Sequence, residues 1–268
     1  LLSPNYPNKV YVLRNQSNSP GDMLLKNSIY TLRRAVVPWN TDEQLADLIS
    51  FCRSNSIDEV MAFVDSEEFS HAIPTVEWLT NYLPVLREMK SRLTDIGVLF
   101  SINPWVTLHH CDRGRNLKTT HPDVDLMVGH DGVQCKACAC PLSPGWRKLT
   151  RELWSLYASL EPHVLWVEDD IRLLNHPPVE YGCFCDIHIK EFSERIGEQV
   201  TRENLVGALL APGEPHPWRA IWLEMNRELA NETVAFLEQI VHKVSPNTRL
   251  GLMCSTPTSH SIEGRNWS

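Results

Sequence analysis

Residues 163–171 read His163-Val164-Leu165-Trp166-Val167-Glu168-Asp169-Asp170-Ile171. A short run of branched and aromatic apolar residues predicts a buried strand, and this one runs into three consecutive carboxylates. Side chains alternate faces along a strand, so Trp166, Glu168 and Asp170 are expected on one side, Val167 and Asp169 on the other. Carboxylates crowded at an apolar strand end raise the pKa of at least one of them. An acid that stays protonated near neutrality can protonate a leaving oxygen. The cluster equally suits a hard cation such as Mg²⁺ or a solvated loop start.

Further strands are expected on both sides of this one: Thr31–Pro38, Glu59–Asp65 and Gly97–Asn103 before it, Arg249–Ser255 after it. Helical spacing lies between them. Leu45, Leu48, Ile49 and Cys52 follow a cap at Thr41; Leu79, Leu83, Leu86 and Met89 follow Thr75. Leu149, Leu153, Leu156 and Tyr157 form a stripe in 146–160, and 184–197 and 217–244 are also helical. Residues 104–144 read as a long irregular segment. Strand–helix alternation demands a parallel sheet covered by helices, with near-continuous apolar strands if both faces are covered. Pro38-Trp39-Asn40-Thr41 follows the first strand where a nucleotide-binding sheet would carry a glycine-rich loop. The expected fold is therefore α/β, a (β/α)8 TIM-type barrel cut off after about five βα units. Residues 1–28 form a lead-in and 29–268 the partial barrel. Its open strand edges predict self-association, hence a homo-oligomer.

Polar and aromatic residues gather after successive strands, at the rim where barrels build their sites. Trp39, Asn103, Trp105, His109 and Arg172 are the candidates to touch a substrate there. Loop packing is the competing role for each aromatic.

The 268 residues are 43% hydrophobic and 22% charged, with a formal net charge of -8. That balance argues against a nucleic-acid partner, which needs a basic face, and no apolar run nears the ~20 residues that span a bilayer. The chain starts at Leu1 without a secretory pattern. The N-terminus reads as incomplete, and a cytoplasmic location is slightly favoured.

Five of eight cysteines fall in two tight groups, Cys135-x-x-Cys138-x-Cys140 and Cys183-x-Cys185-x-x-His188. Cys183, Cys185, His188 and one upstream cysteine would complete a closed, structural zinc site; free thiols or disulfides are the alternatives. His109-His110-Cys111-Asp112 is a further cluster without a partner at clear spacing.

From about residue 97 to 197 the chain resembles the family 42 glycoside hydrolases, mostly β-galactosidases. Cys140-Pro141-Leu142-Ser143-Pro144-Gly145-Trp146-Arg147 is similar to the family's Cys-Pro-Asn-Ser-Pro-x-Tyr-Arg. Cys183-Phe184-Cys185-Asp186-Ile187-His188 stands where the family has Cys-Tyr-Cys-x-x-Cys, and His121-Pro122-Asp123-Val124 is similar to a His-Pro-Glu loop. Trp166–Ile171 occupies the place of Trp-x-x-x-Asn-Glu, whose Glu is the acid/base. The resemblance implies zinc on Cys140, Cys183, Cys185 and His188, a carbohydrate substrate such as a β-galactoside, and a retaining two-carboxylate mechanism with the acid/base at or beside Asp170. Counted from Trp166, the family's Asn-Glu falls on Asp170-Ile171; a slip of one puts it on Asp169-Asp170. Glu168 is the alternative acid. The family's nucleophile ends its seventh strand, and no residue of this chain is assigned to it. A carbohydrate-binding or structural barrel without catalysis is the competing function.

Overall fold

The computed structural model describes residues 29–35, 41–66, 71–254, 256 and 258. The expected lead-in, Trp39 and Asn40 lie outside the described residues. The elements in chain order are β1 (Thr31–Ala35), α1 (Thr41–Asn55), β2 (Glu59–Val64), α2 (Val76–Thr94), β3 (Leu99–Pro104), β4 (Leu126–Val128), β5 (Gln134–Ala139), α3 (Pro144–Ala158), β6 (Val164–Val167), β7 (Leu174–His176), β8 (Val179–Tyr181), α4 (Asp186–Ile196), α5 (Arg202–Leu210), α6 (Pro217–Val244) and β9 (Arg249–Leu252).

Strands β1, β2, β3, β6 and β9 form one parallel sheet in that order. The order follows the chain without the reversal that defines a doubly wound sheet. Register aligns Phe63 with Asn103, Ile102 with Leu165 and Trp166 with Gly251.

Alternation divides this sheet into two unlike faces. Leu32, Val60, Ala62, Val64, Phe100, Ile102, Leu165, Val167, Leu250 and Leu252 belong to one core with the apolar stripes of α1, α2, α3 and α6. Leu79, Leu86, Met89 and Leu93 of α2 are fully buried there, each side chain contributing roughly 1.5–3 kcal/mol by leaving water. The other alternates include Thr31, Arg33, Glu59, Ser101, Asn103 and Glu168, which bond one another across the strands. This refines the expectation of near-continuous apolar strands: the helices draw on one face, and the opposite face mixes these polar groups with Met61, Phe63 and Trp166.

Local chemistry sets several boundaries. The Thr75 hydroxyl accepts from Trp78 N at 3.1 Å to start α2. Ser143 caps α3, with Pro144 in its first turn. Gly197, at φ 75°, ends α4 in the left-handed conformation. Three expectations need correction. Residues 104–144 hold the antiparallel β4–β5 hairpin, unread because Gln134–Ala139 (QCKACA) lacks branched apolar residues. The β7–β8 hairpin and α5, capped by Thr201, were likewise unread. Strand β6 stops at Val167, because Asp169–Ile171 winds into a 3-10 turn capped by Glu168. Side chains in such a turn are about a third of a revolution apart, so strand alternation does not extend to Asp169 and Asp170.

Candidate active site and cysteine cluster

Glu168 stands at the carboxyl end of β6. Its Oε2 accepts from Arg33 Nη2 at 2.7 Å and from Asn103 Nδ2 at 3.3 Å, and Arg33 Nε donates to Asn103 Oδ1 at 2.8 Å. The guanidinium lies 3.8 Å over the Phe63 ring. Four neighbouring strands, β1, β2, β3 and β6, thus bring Arg33, Phe63, Asn103 and Glu168 together. Burial pushes the Glu168 carboxyl up; Arg33 and His110 pull it down, Asp170 and Asp169 push it further up, and the net shift is upward.

Trp105, just past β3, stacks on His110 with ring centres 4.1 Å apart and meets Phe63 edge-on at 5.3 Å. His110 Nδ1 is 3.7 Å from Asp169 Oδ1, which also pairs with Arg172 at 2.8 Å. Polar atoms of His110, Glu168 and Asp169 all lie within 4.8 Å of one another. The indole N–H groups of Trp105 and Trp166 have no hydrogen-bond acceptor among the described residues. Trp166 lies flat against β9 because Gly251 has no Cβ; one added there would fall 2.5 Å from the indole.

Asp170, the first expectation for the acid/base, sits elsewhere. It is fully buried, and its Oδ2 accepts the backbone N–H groups of Thr107, Leu108 and His109 at 2.7, 3.0 and 2.7 Å. It fastens the loop after β3 to the end of β6. His109 is fully buried as well, with φ 82°; burial, His110 and Arg115 hold its imidazole down at about 4. The structure therefore brings Glu168, Asp169, Asn103, Trp105 and Arg172 together, and turns Asp170 and His109 inward. Arg33 and Phe63 went unread. A charged residue inside the expected strand Thr31–Pro38 was the available signal for Arg33.

A second polar layer lies toward the amino ends of the strands. Glu59 accepts from Thr31 Oγ1 at 2.9 Å and from Ser101 Oγ, with His163 Nδ1 at 3.4 Å. Burial raises the Glu59 carboxyl, but His163, Ser101 and Thr31 together hold it below its ordinary value.

The four residues of the cysteine–histidine cluster converge. Cys140 Sγ is 3.6 Å from Cys185 Sγ and 3.4 Å from His188 Nδ1; Cys185 Sγ is 3.3 Å from the same nitrogen. With Cys183 the ligand atoms all lie within 4.8 Å of one another, every residue buried. Tetrahedral zinc, with bonds of about 2.0–2.3 Å, needs edges of roughly 3.3–3.8 Å, so this group could hold a metal ion. Cys140 follows β5, while Cys185 immediately precedes α4 and His188 lies in its first turn. The thiols of Cys140 and Cys183 and the ring of His188 hold Cys185 far below an ordinary thiol. Burial alone would lower His188, but Cys183 and Cys185 raise it to about 10.

No family description matches the sequence, and no curated protein matches it either. Solved structures do match in fold. The catalytic domain of β-amylase from Paenibacillus polymyxa superposes with a TM-score of 0.52 at 10% identity, over 90% of this chain and 72% of that one. The PgaB (BpsB) glycoside hydrolase domain from Bordetella bronchiseptica gives 0.54 at 12% identity, over 84% and 64%. The chain thus has a glycoside hydrolase-like fold and spans somewhat under two thirds of the second structure. Among the described residues no helix is long and apolar enough to cross a membrane.

Proposed function

We propose that this chain is the catalytic region of a glycoside hydrolase, with Glu168 as general acid. The observation that carries this reading is the placement of Glu168: a buried carboxyl with an upward-shifted pKa at the carboxyl end of a parallel strand, beside an aromatic shelf. Carboxyl strand ends are where (β/α) barrels build active sites, and a raised carboxyl is the form that donates to a departing glycosidic oxygen. Arg33 and Asn103 fix the Glu168 side chain. Trp105, stacked on His110 beside the carboxyl, is the aromatic side chain against which a sugar ring would lie. The fold likeness to a β-amylase catalytic domain and a glycoside hydrolase domain supports the same class.

In this reading the sheet is part of a closed eight-stranded barrel, and the substrate is a β-galactoside or a related glycan, hydrolysed with retention. By the sequence resemblance to family 42, the nucleophile belongs to a seventh strand, which the five-stranded sheet does not include. Zinc on Cys140, Cys183, Cys185 and His188 is structural: it contributes no chemistry to the sugar and locks α4 to the end of β5.

Glu168→Gln, in a chain that carries the whole barrel, is expected to lower kcat/KM on an unactivated galactoside by roughly 10²–10⁴-fold. It should spare aryl galactosides whose leaving group departs without a proton. Undiminished turnover of the unactivated substrate would refute the assignment. The Arg33–Glu168 ion pair favours a second reading, a sugar-binding domain without turnover, because an arginine stabilises the ionised carboxylate. That protein would bind galactosides and hydrolyse neither substrate.

A further inference from the structure

We propose a second metal site, for a thiophilic divalent cation such as zinc, formed by Asp112, Cys135 and Cys138. It is separate from the Cys140 cluster and stands whether or not the sheet carries a hydrolase. The sequence shows its parts as unrelated fragments: Asp112 ends His109-His110-Cys111-Asp112, and the two thiols open the first cysteine group. Folding brings them together. One ligand atom from each of the three lies within 4.8 Å of the other two. Ligands bound at about 2.0–2.3 Å to one ion sit roughly 3.3–3.8 Å apart, so small side-chain movements close the set on a cation.

Two observations favour a ligand over mere packing. First, Asp112 is already oriented as a ligating carboxylate is: its Oδ1 accepts the backbone N–H of Lys136 at 2.7 Å and of Ala137 at 2.9 Å, the two residues between the cysteines. Hydrogen bonds of this kind fix the direction of metal-bound carboxylates. Second, both thiols are buried, Cys135 at 1% and Cys138 at 0% exposure. Asp112 has no ion-pair partner among the described residues, so the cation supplies the countercharge that a carboxylate against two buried sulfurs lacks. Cys135 Sγ donates to His176 O at 3.4 Å. Binding replaces that proton and the one on Cys138, and two protons pass to solvent for each M²⁺ taken up. With three protein ligands, a fourth position on the ion would be left to water.

The test is metal stoichiometry on the intact chain, purified under reducing, chelator-free conditions and loaded with zinc. Wild type should bind two equivalents. Cys135→Ser combined with Cys138→Ser should lose one and keep the other; Cys140→Ser should lose the complementary one. Should the double variant not fold, Asp112→Asn reads the same site: it keeps an oxygen for the Lys136 and Ala137 amides, and one of the two zinc affinities should fall about tenfold or more in competition with a chelator. The proposal is overturned if the double variant binds as much zinc as wild type, or if Asp112→Asn leaves both affinities unchanged. It is also overturned if Cys135 and Cys138 are recovered from reduced wild-type protein as a disulfide.

Discussion

Neighbouring carboxylates in one short stretch take different parts because their partners differ. Asp170 accepts three backbone N–H groups and is sealed inside. Asp169 is half-buried and pairs with Arg172. Glu168 faces the polar side of the sheet with Arg33 against it. Arg33 is the lever at this scale. Its charge stabilises the ionised form of Glu168 and opposes the upward push of burial. Removing it in Arg33→Met raises the Glu168 pKa further. A general acid works while protonated, so the alkaline limb of the kcat/KM profile should move to higher pH. A limb that stays in place, or moves down, would show that Glu168 does not set it.

At the scale of the element, Cys140–Arg147 has a physical task at almost every position. Cys140 enters the cysteine–histidine cluster. The Ser143 hydroxyl accepts from Asp125 N and donates to Asp125 Oδ2, both at 2.8 Å, besides capping α3. Trp146 is fully buried and donates from Nε1 to Thr107 O at 2.8 Å. Arg147 pairs with Glu232 on α6. Gly145 is there for space, since a Cβ would run into the backbone carbonyl of Asp123. Two of the sequence stretches similar to family 42, His121–Val124 and Cys140–Arg147, are therefore in contact. Gly145→Ala is expected to cost about 1–3 kcal/mol through overpacking. The urea midpoint should fall with an unchanged m-value; an unchanged midpoint would mean that the 121–125 loop yields freely.

Over the whole molecule, α6 links two cores. Phe236, Leu237, Ile240 and Val241 near its end pack with the sheet, whereas Trp222 and Met225 near its start pack with Phe184, Phe192, Leu205 and Leu209 of the α4–α5 region. Between them lies the cysteine–histidine cluster, the tie from β5 to α4. A metal that binds only the folded form stabilises it by RT ln(1 + [L]/Kd), about 2.7 kcal/mol at a hundredfold excess over Kd. Stripping zinc with a strong chelator should lower Tm and speed hydrogen exchange in α4 and α5 before α1 and α2. Equal exchange in both regions, or an unchanged Tm, would show that this tie does not hold the outer core.

The parallel α/β character was legible in the sequence, because a buried strand and a helix that packs on it each leave a periodic apolar record. So was the cysteine–histidine cluster, since Cys183, Cys185 and His188 sit within one turn of chain and zinc chemistry restricts what such spacing means. The helical run expected at about 217–244 was legible as well, and α6 occupies it. The tertiary structure decided which carboxyl faces the polar side of the sheet. Alternation stops where the chain leaves the strand, and the 3-10 turn at Asp169–Ile171 sends Asp170 to the amides of residues 107–109 instead of to the rim. It also decided the company of Glu168: Arg33 lies 135 residues away, and a contact at that separation has no period to betray it. Asp112 meets Cys135 and Cys138 for the same reason: it lies 24 residues before Lys136, whose N–H it accepts, and β5, which carries both thiols, lacks the branched apolar residues that mark a strand.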